Sequence, residues 1–155
     1  MIKHYRHYNN QYGACAKWTQ SVDPLFLERI DIQCEITPVP FDKLSERAEG
    51  ESSAVIRERV IRARAIQEER FRNVPGIHCN AQMTNRMLHE FAEPDAQSLA
   101  LLRTAMDRLD LSARAYDRIL KVARTIADLE GTPQIQAAHI SEAISYRSLD
   151  RSNWV

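Results

Sequence analysis

From Arg29 to Thr37 apolar and polar residues alternate: Ile30, Ile32, Cys34 and Ile36 stand against Asp31, Gln33 and Glu35. A period of two predicts one half-buried β-strand. Pro38 and Pro40 close it, because proline cannot donate to a ladder. After a charged connector from Phe41 to Gly50, the period changes to that of a helix and stays there. Ser52 or Ser53 opens a long helix to about Phe71, with Ile56, Val60 and Ala63 on one face. Asn73, Pro75 and Gly76 interrupt the pattern, and Thr84 opens a short helix with Met87, Leu88 and Phe91. Asp95 caps a third, in which Leu99, Leu102, Met106 and Leu109 recur at spacings of three and four. Ser112 caps a fourth, lined by Tyr116, Ile119, Leu120, Ala123 and Ala127, and Gly131 with Pro133 ends it. A fifth, about Gln136 to Arg147, buries Ile140 and Ile144.

The pattern predicts an irregular arm over 1–23, a strand-bearing piece over 24–50, a helical domain over 51–148 and a polar tail over 149–155. A lone strand leaves both edges without partners. Either the arm pairs with it, or its neighbours lie outside this chain; the second reading is the better one, and the strand looks severed from a sheet.

Composition narrows the function classes. Lys plus Arg equals Asp plus Glu at 21 each, so no global field draws the chain to nucleic acid or membrane. Arginine nevertheless outnumbers lysine seventeen to four, and the rigid guanidinium fork suits phosphate and carboxylate. A compositional bias toward arginine accounts for the count equally well. Cys15, Cys34 and Cys79 form no C-x-x-C pair, and the polar start of the chain holds no leader; the reading is a cytoplasmic protein without a membrane span. The histidines are too scattered for a metal site. With four glycines and no G-x-x-x-x-G-K-[ST] loop, the chain holds no phosphate-cradling loop of its own.

Two arginines stand out. Arg114 falls in the first turn of the fourth predicted helix, where the positive pole of the macrodipole disfavours a cation. A guanidinium beside free N–H groups points to a phosphate or carboxylate nearby. The alternative is a solvated side chain, or one paired with Asp110. Arg29 begins the strand, where ligands and neighbouring subunits meet α/β sheets. Its alternative is a surface ion pair with Glu28 or Asp31. The first helix carries Arg57, Arg59, Arg62, Arg64, Arg70 and Arg72 against Glu58, Glu68 and Glu69, which reads best as a salt-bridged face and second as a nucleic-acid contact.

The motifs Leu27-Glu28-Arg29-Ile30-Asp31-Ile32, Gly50-Glu51-Ser52-Ser53 leading into Ile56-Arg57-Glu58-Arg59-Val60, Leu111-Ser112-Ala113-Arg114-Ala115-Tyr116-Asp117-Arg118 continuing to Leu129, and Ala138-His139-Ile140 with Glu142-Ala143-Ile144-Ser145-Tyr146-Arg147 occur in that order. Together they resemble the C-terminal part of the magnesium-chelatase-like AAA+ ATPases, in the branch that contains the competence protein ComM. The resemblance runs from about Pro24 to Arg147. It implies a mainly α fold, a five-helix AAA+ lid-type bundle preceded by an irregular arm and one isolated β-strand belonging to an AAA+ core. It implies that Arg29 matches the arginine finger and Arg114 the sensor-2 arginine, which contacts nucleotide. Such groups stabilise charge developing in phosphoryl transfer. The implied cofactor is ATP with Mg2+ in the complete enzyme, none being bound by this chain alone. The implied partners are the AAA+ core, neighbouring subunits of a ring, and DNA in a competence-helicase-like machine.

Two departures stand beside the resemblance: Asp23 replaces a glycine before the finger proline, and residues 1–23 match poorly the Asn-Pro-Cys-Pro-Cys-Gly stretch of relatives. The ATP-binding half is absent from these residues, which makes the chain a lid segment, a truncated product or a remnant. The rival readings are a stand-alone nucleic-acid-binding module and an interaction domain that never touches nucleotide. Purified alone, the chain is expected to release no phosphate from ATP above buffer background in a coupled assay; steady turnover would reveal a nucleotide site of its own.

Overall fold

A computed structural model describes residues 29–34, 38, 41 and 50–147. Among these, five α-helices and one short 3-10 turn form a bundle without a β-sheet. The helices are α1 (Ser53–Phe71), α2 (Asn85–Phe91), α3 (Ala96–Leu109), α4 (Ala113–Glu130) and α5 (Ala137–Ser145), with the turn at Asn80–Gln82 between α1 and α2. The fold is thus the mainly α, five-helix, AAA+ lid-type bundle expected from the chain.

The helix starts are where the capping residues put them. The Ser52, Asp95 and Ser112 side chains accept from the N–H groups of Val55, Ser98 and Ala115 at 3.4, 2.7 and 3.3 Å, each satisfying a donor that lacks a partner within its helix. The Ser98 N–H holds the Asp95 carboxyl below its ordinary range. Because folding lowers that value, the cap is intact above the unfolded carboxyl's range and is lost only as pH falls through the lowered folded one. The α5 cap is reciprocal: the Gln136 N–H donates to His139 Nδ1 at 3.0 Å, and the Gln136 side chain accepts from the His139 N–H. That leaves the imidazole hydrogen on Nε2, which faces Glu130 Oε2 at 2.7 Å.

Helix α4 is the axis of the bundle. Ala115, Ile119, Leu120, Val122, Ala123 and Ala127 are buried along it, and α1, α2, α5 and the 3-10 turn pack around it. Its end is set by Gly131 at φ 76°, a conformation that costs any residue with a Cβ. There the Thr132 N–H reaches back to the Ala127 carbonyl at 2.9 Å and the Gly131 N–H to Asp128 at 3.2 Å, the paired bonds that close a helix through a left-handed residue. A single parallel bridge, Pro94 to Ile135, joins the approaches to α3 and α5.

Three details depart from the pattern along the chain. Ile56 and Val60, read as an inner face, are 40% and 46% exposed; α1 projects beyond the bundle and buries only Ala63, Gln67 and Phe71. On α3 it is Ser98, rather than Leu99, that turns inward with Leu102, because the helix docks one position off the longest apolar stripe. Residues 29–34 form no ladder: Ile32 is 51% exposed and Gln33 is buried, the reverse of the alternation. A strand without a neighbour has nothing to pair with, and the Gln33 N–H donates instead to the Tyr146 carbonyl at 2.9 Å. Residues 35–37, the rest of the predicted strand, and the arm over 1–23 lie outside the described residues.

At the far end of the bundle from the α4 cap sits a buried polar cluster. Asp128 is 2% exposed and accepts from four donors on three elements. Arg70 Nη1 donates to its Oδ2 at 2.7 Å and Asn80 Nδ2 to the same oxygen at 2.8 Å. Arg70 Nη2 and Arg124 Nε reach Oδ1, the latter at 3.1 Å. Arg124 then donates to the carbonyls of Pro133 and Thr132 at 2.8 and 2.6 Å. Burial pushes the Arg124 guanidinium below its ordinary range, and the Asp128 carboxylate beside it opposes that shift. Asp128→Ala would leave two cations facing each other without a carboxylate, at a cost of about 3–5 kcal/mol. Urea unfolding should show that loss, and a smaller one for Arg124→Met combined with Asp128→Leu; a cost below about 1 kcal/mol for Asp128→Ala would remove the cluster as the clasp of the bundle.

Candidate anion site at the start of the fourth helix

The first turns of α4 carry the chemistry. Ser112 caps the helix, Arg114 is its second residue, and Arg118 and Lys121 follow at i+4 and i+7, on the same face. These three cations, with Asp31, Ala81 and Asp117, line an open pocket of about 330 Å³. Ala81 belongs to the 3-10 turn, so the pocket lies in the corner between that turn and α4. Lys121 Nζ donates to the Ala81 carbonyl at 3.0 Å, pinning the turn to the helix. Arg118 forms an ion pair with Asp31, which lies 87 residues earlier in the chain.

The electrostatics are those of a site with surplus positive charge. The Lys121 ammonium is held below its ordinary range, first by partial burial and then by the Arg118 guanidinium beside it; Asp117 offsets part of this. The positive end of the helix dipole lies beside the first of these cations and adds to the field there.

Arg114, read from the chain as a nucleotide contact, stands exposed on the rim of this pocket. Arg29, read as a finger, is exposed in a turn and does not line it; Asp31, two residues on, does. Asp31 turns to Arg118 rather than back to Arg29. Two further bonds hold this segment to the end of α5: Arg147 donates to the Ile30 carbonyl, and Gln33 binds the Tyr146 carbonyl. Arg147 is 1% exposed, which makes it a buried cation spent on holding backbone.

Arg118, Lys121 and Asp31 were not singled out along the chain. The i, i+4, i+7 recurrence of cations from Arg114 was visible there, and it is the signal that finds the first two. Nothing local announces Asp31. The arginines of α1 divide: Arg57, Arg59, Arg62 and Arg64 are exposed, Arg59 forks onto Glu51 with both bonds at 3.0 Å, and Arg70 belongs to the buried cluster. Among the described residues no group of three or more His, Cys, Asp and Glu side chains could hold a metal ion. No described helix is long and apolar enough to cross a membrane.

The family profile described as "Magnesium chelatase, subunit ChlI C-terminal" matches residues 50–147, which takes in all five helices. The chain belongs to this family. Among curated proteins, competence protein ComM of Haemophilus influenzae is 39% identical over 127 residues, covering 81% of this chain and 24% of that protein. The protein YifB of Salmonella typhimurium is 36% identical over 151 residues, covering 94% of this chain and 29% of its own length. A Mycobacterium bovis protein, Mb2921c, is 34% identical over 121 residues, covering 78% of this chain and 24% of that protein. The chain thus spans about a quarter of the length of the curated relatives it matches. Within the magnesium chelatase family, these residues make up the C-terminal helical domain.

Proposed function

We propose that this domain is the lid and sensor segment of a magnesium-chelatase-like AAA+ ATPase. Arg114 contacts the terminal phosphates of ATP bound mainly by a core domain, and Arg29 serves as the finger that reaches a neighbouring subunit's nucleotide in a ring. The observation that carries the reading is the position of Arg114, in the first turn of α4 on the rim of a cation-lined pocket. A phosphate there meets a guanidinium close to the positive end of a helix, a combination suited to charge that grows during phosphoryl transfer. In this reading the ligands of the accompanying Mg2+ come from the core, and this segment contributes cations to the phosphates. That one relative is named a competence protein supports reading the complete machine as one that remodels DNA.

The test replaces Arg114 where this segment follows a nucleotide-binding core of the family. Arg114→Ala should lower ATP turnover about 10²–10³-fold while ring assembly and the melting midpoint stay as they were. Turnover within a factor of two of the parent would end the sensor assignment.

A second reading has one observation in its favour: the first half of α1 is exposed on every side and carries Arg57, Arg59 and Arg62, with Arg64, also exposed, just beyond it. If this helix binds nucleic acid directly, the chain alone should retain a DNA duplex with an affinity that falls steeply with salt. Reversing Arg57 and Arg64 to Glu should then abolish retention; equal retention would rule the reading out.

A further inference from the structure

The pocket at the start of α4 already holds one anion. The Asp31 carboxylate, carried in on a segment remote in sequence, sits on the Arg118 guanidinium at the pocket wall. Among the residues that line the pocket, Arg114, Arg118 and Lys121 stand on one stripe, and the lining acids are Asp31 and Asp117. The stripe runs for about 10 Å along the helix axis, from the rise of about 1.5 Å per residue over seven residues. That is the reach of a short row of linked phosphates rather than of a duplex.

Resting on the reading of Arg114 given above, we propose that Arg118 and Lys121 extend its site into a three-point cradle for the polyphosphate tail of a nucleotide. Asp31 is the built-in counter-ion that the phosphates displace from Arg118. The chemistry of the lining groups supports both halves. Arg118 offers a planar fork that binds carboxylate and phosphate oxygens alike, so one ligand exchanges for the other without rebuilding the site. Lys121 spends one of its three N–H donors on the Ala81 carbonyl and keeps its charge beside Arg118, a crowding of cations that an arriving anion relieves. The exchange is a substitution of one anion for another and involves no covalent step. Its consequence is selectivity by charge: a ligand with a single negative charge gains little over Asp31, whereas a chain of phosphates reaches all three cations.

The measurement is calorimetric titration of inorganic tripolyphosphate into the full 155-residue chain at low ionic strength without metal, with single-stranded oligothymidine as a second titrant. Arg118→Ala and Lys121→Ala should each weaken tripolyphosphate binding about tenfold, the worth of one charge-assisted contact. Arg118→Lys should recover part of that loss, and Asp31→Asn should tighten binding several-fold. Matched melting midpoints show that the variants fold. The cradle is overturned if the parent chain binds no tripolyphosphate, if the variants bind as the parent does, or if the oligonucleotide binds more tightly through the same three residues. Loss confined to Arg114→Ala also overturns it, while leaving the sensor role standing. Binding that needs Arg118 and Lys121 but ignores Arg114→Ala overturns the three-point cradle and counts against the sensor role as well.

Discussion

Two arginines and an asparagine on one buried carboxylate hold this bundle in its particular arrangement. Apolar burial around α4 supplies the drive to collapse, but Leu, Ile and Ala side chains tolerate several dockings of one helix on another. Asp128 does not. With its side chain inaccessible to solvent, it is satisfied only if Arg70 of α1, Asn80 of the 3-10 turn and Arg124 of its own helix all arrive in place. Any slip of α1 along α4 would strand at least one of these charges, and a stranded buried charge costs more than a displaced methyl group. The cluster adds uniqueness of register more than net stability. Arg124 carries the constraint onward through the Thr132 and Pro133 carbonyls, fixing the loop that leads into α5.

The same constraint positions the candidate site. Asn80 opens the 3-10 turn, and Ala81, its next residue, forms a wall of the pocket. Because Asn80 is anchored to Asp128 and to Thr125 Oγ1 at 3.1 Å, the Ala81 carbonyl is presented where Lys121 meets it. The cation-bearing start of α4 and its buried end are therefore coupled through one residue of the turn. A rigid helix with a capped, cation-bearing start and a clasped finish is suited to present charge at a fixed place, the requirement for electrostatic stabilisation without reorganisation.

What could be read along the chain divides by the range of the interaction responsible. Helix starts and stops follow from Ser52, Asp95, Ser112 and Gly131, whose hydrogen bonds reach only a few residues, and all four fall where the pattern puts them. The place of Arg114 in the first turn of α4 was legible for the same reason, since the Ser112 cap that sets it is local. Asp128 was not: its partner Arg70 lies 58 residues away, and an Asp inside an arginine-rich helix looks like any solvated charge. Ile56 and Val60 misled because periodicity says which residues share a face, whereas what covers that face is a tertiary fact. The exposed apolar residues there, Val55, Ile56, Val60 and Ile61, are spread around the helix among arginines, so no single apolar face asks to be covered and the helix projects in the fold.

Residues 29–34 show how a strand sequence behaves beside a helical body. Alternation along Ile30, Ile32 and Cys34 prepares the chain to be one member of a sheet, and a backbone so prepared needs partners for its N–H and C=O groups. Here the helical domain supplies them: Arg147 for the Ile30 carbonyl and the Tyr146 carbonyl for the Gln33 N–H, with Asp31 drawn to Arg118. Gln33 is buried by that docking and Ile32 is left outside, so the contact is chosen by hydrogen bonding against the apolar pattern. The segment that carries Arg29 is thus tied at two of its residues to the end of α5 and at a third to the start of α4. Any displacement of the helical body would carry this stretch with it unless those bonds break, and of the three only the Asp31 tie joins the pocket to the segment.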